Sequence, residues 1–131
     1  MVEPIRLTKK EVDTFTAQIY LGLREGYGTL IHNEREVREV LQDYVNNNKF
    51  CVTITPTEFI YTSNLKKSVN GNEPGVIIGI MNYPRFPLER KTLEQKAEEI
   101  ALLCKERFKQ NKISIVYPDR TVMFETPEEN K

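Results

Sequence analysis

The stretch from Val76 to Pro87, VIIGIMNYPRFP, limits the fold more than any other part of the chain. It opens as an apolar run to Met81 with one glycine, Gly79, inside it. A short run rich in β-branched residues reads as a strand covered on both faces. It is too short for an ordinary helix, and Gly79 would weaken one further. The run stops on Asn82 and passes into Tyr83-Pro84-Arg85-Phe86-Pro87. Each proline pushes the residue before it into extended backbone. Tyr83 and Phe86 are thereby held in a stiff segment beside one guanidinium, Arg85. A strand ending in an amide, two aromatics and an arginine is a wall suited to a planar, anionic ligand. Taken singly, Tyr83 and Phe86 could equally cap the core; the cluster favours a site.

The remaining elements fall on either side of this strand. Residues 1–14 form an N-terminal arm, in which Thr8 and Glu11 have capping-box spacing for a short turn from Lys9. Phe15, Ala17, Ile19 and Leu21 alternate at strand period. The strand runs into Arg24-Glu25-Gly26-Tyr27-Gly28, where glycines allow close backbone approach to a ligand. Asn33 caps a helix, with Glu36 at the capping-box position and Val37, Val40, Leu41, Tyr44 and Val45 as its stripe. Asn46-Asn47-Asn48 ends it, because asparagine accepts left-handed backbone. Phe50 to Tyr61 is a second strand, with Pro56 marking a bulge, a bend or an edge. Thr62 to Gly75 is a long polar connection carrying Lys66, Lys67 and an Asn70-Gly71 turn.

After Pro87, Thr92 and Gln95 make a capping box for a second helix, striped by Leu93, Ala97, Ile100, Ala101, Cys104 and Phe108. Ile113–Tyr117 and Thr121–Glu125 flank Pro118-Asp119-Arg120 as a hairpin, and residues 126–131 are a loose tail. The order strand-helix-strand-strand-helix-strand-strand predicts an α+β domain over 15–125. Its two helices pack on one face of a mainly antiparallel sheet, ferredoxin-like in topology, with a C-terminal β-hairpin added. The second sheet face is left short of cover, which points to a homo-oligomer.

Composition narrows the function. Nineteen basic residues balance nineteen acidic ones, and they interleave, so a DNA or RNA polymer is a poor partner. No apolar run reaches the roughly 20 residues of a membrane span, and the N-terminus lacks an apolar signal core, so an intracellular protein is expected. Cys51 and Cys104 lie far apart in apolar stretches, as buried reduced thiols do. The single histidine, His32, has no partner histidine for a metal site. Glu25, Glu58 and Glu73 fall in separate segments without an evident acid–base pairing. No serine sits in a nucleophile elbow. Binding chemistry is better represented: Arg24 with Tyr27, Arg85 with Tyr83 and Phe86, Arg120 beside Tyr117, and Asn82 to read a base edge. Guanidinium forks match phosphate oxygens and aromatic faces stack on bases. The expected ligand site is therefore Arg24, Tyr27, Asn82, Tyr83, Arg85, Phe86 and Arg120, with no catalytic set, no metal and no cofactor.

Four segments, IYLGLREGYG, FCVTITPTEFIY, NEPGVIIGIMNYPRFP and YPDRTVMFE, resemble the phage Thoeris anti-defence family, first type. Members are not enzymes. They sequester cyclic ADP-ribose isomers made by bacterial TIR immune proteins, and they assemble as oligomers, hexamers among them. The resemblance implies that this chain is a phage-encoded sponge for such a nucleotide in the host cytoplasm, a hexamer built from dimers. The alternative is a small phage or mobile-element protein–protein interaction module that works through its sheet face or long loop, with no small-molecule ligand.

Overall fold

The computed structural model describes residues 5–26, 28–62 and 71–127. Tyr27, the Lys66-Lys67 pair, the Asn70 side of the expected turn and most of the tail lie outside these residues. Seven elements follow in the expected order: β1 (Thr16–Gly22), α1 (Glu34–Asn48), β2 (Val52–Tyr61), β3 (Gly71–Met81), α2 (Arg90–Arg107), β4 (Lys112–Val116) and β5 (Thr121–Glu125). The sheet order is β2-β3-β1-β4-β5, and every neighbouring pair is antiparallel. The first four strands stand in the ferredoxin-like order, and β5 extends the sheet beyond β4 as the second arm of the terminal hairpin.

Strand alternation sets what the helices cover. Ala17, Ile19 and Leu21 of β1 pair with Ile80, Ile78 and Val76 of β3, and all six are buried beneath the helices. Leu93, Ala97, Ile100, Ala101, Cys104 and Phe108 bring the α2 stripe onto them. Burial of this apolar area is the main favourable term holding the layers together. Burial also pushes the Cys104 thiol up to about 12, which makes it an inert core group. Cys51 is also a free thiol, half-buried rather than buried.

The opposite sheet face carries Gln18, Tyr20, Thr53, Thr55, Phe59, Ile77 and Met81. The apolar run from Val76 is thus covered on one face only: Val76, Ile78 and Ile80 are buried, while Ile77 is half-buried and Met81 exposed. Pro56 lies on the edge strand β2, where its missing N–H does not break a central ladder.

Four local expectations are corrected. The asparagines 46–48 are helical; Lys49 takes the left-handed position (φ 48°), while Asn47 and Asn48 donate back to the carbonyls of Asp43 and Tyr44. α2 starts two residues before Thr92, with Glu89 at its cap and no side-chain cap bond. β3 begins at Gly71, so Asn72-Glu73-Pro74-Gly75 belongs to the sheet, and residues 5–15 contain no helical turn. The Asn33–Glu36 capping box is formed in both directions.

Candidate functional site

The register places two polar regions at opposite ends of the sheet. One end gathers the segment after β3, the start of α2 and the β4–β5 turn. There the Asn82 carboxamide is occupied: its Nδ2 donates to the Asp13 carbonyl at 2.8 Å and its Oδ1 accepts the Leu88 N–H at 2.9 Å. It ties the N-terminal arm to the entry of α2, a clamp between two backbone segments. Arg120 is also engaged. It donates to Glu94 at 2.6 Å and to Asp119 at 3.3 Å, and its guanidinium lies over Tyr117 at 4.4 Å. Arg90 reaches the other Glu94 oxygen and Asp119, each at 2.7 Å. The hydrogen bonds from Arg120 and then Arg90 hold the Glu94 carboxyl below the usual carboxylate range.

Tyr83, Arg85 and Phe86 do come together. The Tyr83 and Phe86 rings are 6.1 Å apart, and the Arg85 guanidinium stands 5.3 Å from the Phe86 centroid. With Arg38, Leu41, Gln42 and Val45 of α1 and Phe50–Ile54 at the start of β2, they line a groove of about 470 Å³. Arg38 shares a pair with Glu34 at 3.4 Å. Arg24, by contrast, lies at the other end of the sheet, past β1. Among its described residues the expected set is therefore split, with only residues 83, 85 and 86 lining one groove.

The end that carries Arg24 holds the chemistry that sequence reasoning missed. Glu73 on β3 stands opposite Phe59 on β2, on the uncovered face. Its Oε2 accepts the Arg24 main-chain N–H at 3.2 Å. Gln110 is buried; its Nε2 donates to the Arg24 carbonyl at 2.7 Å and the Phe108 carbonyl at 3.0 Å. The two side chains converge over Gly22: a Cβ there would stand 2.7 Å from Glu73 Oε2 and 2.9 Å from Gln110 Oε1. The glycine thus leaves room for a notch walled by acceptor oxygens. Beside it, the Phe59 ring lies against Gly75 and meets Tyr20 edge-to-face at 6.3 Å. A carboxylate, an amide oxygen and two aromatics share one face. The signal available in sequence was the Glu73-Pro74-Gly75 run opening a strand, which a loop assignment hid. Glu25 is not isolated either: it and Glu36 bracket His32 at 3.0 and 2.8 Å. Among the described residues no group of histidine, cysteine and carboxylate side chains is arranged for a metal ion, and no helix is long and apolar enough to cross a membrane.

No protein-family model matches the chain, and no curated protein matches it. Solved structures do match. A phage SAM lyase in complex with S-methyl-5′-thioadenosine superposes with a TM-score of 0.73 at 14% identity, covering 93% of this chain and 97% of that one. A phage SAM lyase in the apo state gives 0.75 at 16% identity, with 95% and 100% covered. The shared property is the fold, one found in a phage protein that binds a small adenosine compound. This corrects the expectation of a non-enzyme: the fold serves a lyase.

Proposed function

We propose that the chain binds an adenosyl sulfonium compound at the Glu73–Gln110 notch and cleaves it to S-methyl-5′-thioadenosine. The observation that carries this reading is the convergence of two acceptor oxygens over Gly22. Acceptors without a donor wall select a cation, and S-adenosylmethionine presents two, its sulfonium and its α-ammonium. Tyr20 and Phe59 offer π faces for an adenine or for the cation itself. The fold shared with the SAM lyase supports the assignment. In the cleavage the S–Cγ bonding pair stays on sulfur, which becomes a neutral thioether. Cγ is taken by the ligand's own carboxylate oxygen, closing a lactone, so no proton or water enters the balance. Glu73 and Gln110 hold and orient the cationic end for that attack. The test is incubation with S-adenosylmethionine followed by chromatography. S-Methyl-5′-thioadenosine should appear with the parent and be lost with Glu73→Gln. Unconsumed S-adenosylmethionine with the parent protein would sink the cleavage, and absent binding would sink the site.

A second reading is supported at the opposite end. Arg38, Arg85, Tyr83 and Phe86 around the 470 Å³ groove suit an anionic ligand with a planar base, as a cyclic ADP-ribose isomer is, and its capture in the host cytoplasm would blunt a TIR-based defence. The uncovered sheet face, with Ile77, Met81 and Met123, favours a homo-oligomer of dimers, up to the hexamer. Incubation with a cyclic ADP-ribose isomer, denaturation and identification of the released compound separates this reading from the first.

A further inference from the structure

The chain's single histidine touches neither ligand region, yet it fastens the wall of one. His32 Nδ1 stands 2.8 Å from Glu36 Oε2, and Nε2 stands 3.0 Å from Glu25 Oε2. Its side chain is 13% exposed, and its ring meets Phe108 edge-to-face at 5.1 Å. Carboxylate oxygens only accept, so both contacts are hydrogen bonds at once only when both ring nitrogens carry a proton. A neutral ring would turn one lone pair toward a carboxylate oxygen, which is repulsive, most of all at Glu25, the less exposed of the two carboxylates. The charged groups around the ring are Glu25 from the β1–α1 connection, Glu36 from α1, and Arg107 from α2, which acts on Glu36.

The same connection builds the notch. Glu25 follows Arg24, whose N–H is held by Glu73 and whose carbonyl is held by Gln110. The His32 N–H donates to the Leu23 carbonyl at 2.7 Å, and the Leu23 N–H donates to the Pro74 carbonyl at 3.0 Å. The Gly26 N–H donates to the Lys109 carbonyl at 3.0 Å, beside Gln110. Through these bonds the ring joins the start of α1, the wall of the notch and the end of α2. We infer that His32 is a protonation-controlled positioning residue: as imidazolium it clamps Glu25 to Glu36 and holds the Arg24 backbone that orients Glu73 and Gln110, and loss of one proton releases the clamp. The inference rests on the reading that the notch binds the cationic ligand.

The clamp is tested first without ligand. One histidine gives one ring signal, so its protonation can be followed by NMR across the pH range in which the protein stays folded. Amide protection factors of Leu23, Arg24 and His32 are measured over the same range. They should fall on the order of tenfold as the ring deprotonates, and should be flat with pH in His32→Gln. If that variant does not fold, Glu25→Gln, which removes one of the two carboxylates, should blunt the same change. Protection that ignores the ring's titration in the parent overturns the clamp. Affinity for S-adenosylhomocysteine, which keeps the ammonium but cannot be cleaved as a sulfonium, should fall in step with protection in the parent and not in His32→Gln. Binding that stays constant through the titration overturns the positioning role. Failure to bind both S-adenosylhomocysteine and S-adenosylmethionine at every pH overturns the ligand reading alone, and the protection profile still decides the clamp.

Discussion

Glu73 and Arg24 lie 49 residues apart and meet at the end of the sheet, where the Arg24 N–H donates to Glu73 Oε2 at 3.2 Å. The bond fixes a carboxylate over Gly22 that the chain does not otherwise neutralise by an ion pair among the described residues. Glu73→Gln keeps an acceptor for the Arg24 N–H and removes the charge. Hydrogen bonds to a charged group contribute about 1.5–3 kcal/mol. Calorimetric affinity for S-adenosylmethionine should therefore drop by about ten- to a hundredfold, with the thermal midpoint nearly unmoved. Equal affinity in both proteins would remove Glu73 from the site.

Gly22→Ala addresses the same notch by shape. The new methyl would stand within 2.7–2.9 Å of Glu73 Oε2 and Gln110 Oε1, and both must move. The backbone conformation there suits any residue, so the change fills space rather than straining the chain. Ligand affinity should fall at least tenfold, while stability should change by about 1–3 kcal/mol at most, as expected for mild overpacking. Chemical denaturation and calorimetry on this variant read the two effects separately.

Asn82→Ala should cost stability instead. The side chain bonds the Asp13 carbonyl and the Leu88 N–H, and its loss leaves a part-buried N–H without its acceptor. An unsatisfied group costs roughly 1–3 kcal/mol. The urea midpoint should fall accordingly, with ligand affinity at the Glu73 notch unchanged. A variant as stable as the parent would show that the arm is not held by this clamp.

The contrast between Asn82 and Glu73 shows what sequence made legible. The two helices, the sheet and the hairpin followed from apolar period, and the start of α1 from its Asn33 cap, because those signals are local. Tyr83, Arg85 and Phe86 were also legible as one surface, since they are neighbours in a proline-stiffened segment. The backbone bonds of Asn82 were not legible, because a carboxamide gives the same sequence signal whether it faces a base or two backbone groups. Glu73 was missed because its partners, Arg24, Gln110 and Gly22, come from other elements, and the strand pairing that joins them has no local trace. The pairing of Arg120 was not legible for a similar reason: Glu94 stands 26 residues away in sequence but 2.6 Å away in space.

Acid should loosen the corner that Arg120 shares with Glu94. Arg120 and Arg90 depress the Glu94 carboxyl in the folded chain. A group with a lowered folded pKa contributes stability that is present above its unfolded value and lost as pH falls through the folded one. The contribution should be complete at neutral pH and disappear from the ordinary glutamate range downward. Glu94→Gln should flatten that part of an acid-unfolding profile relative to the parent, and solvent exposure with salt screening should keep the effect small. Identical acid limbs in the two proteins would show that the cluster is electrostatically idle.

Phe86→Leu separates site from scaffold at the opposite groove. Phe86 is half-buried, with Arg85 near its ring and Tyr83 tilted against it. Pro84 and Pro87 restrict this segment before a ligand arrives, which lowers the ordering cost of binding. Leucine keeps much of the apolar volume and removes the π face. If the ring stacks on the adenine of a cyclic ADP-ribose isomer, the loss is about 1–3 kcal/mol, a ten- to hundredfold weaker affinity with little change in thermal midpoint. If the ring only closes the groove over Phe50, affinity stays level and stability drops by up to about 1.5 kcal/mol, the usual limit for a size-conserving swap. Affinity and midpoint measured on that one variant decide between them. A lower midpoint with unaltered binding takes Phe86 out of the ligand surface and leaves the Glu73 notch as the site.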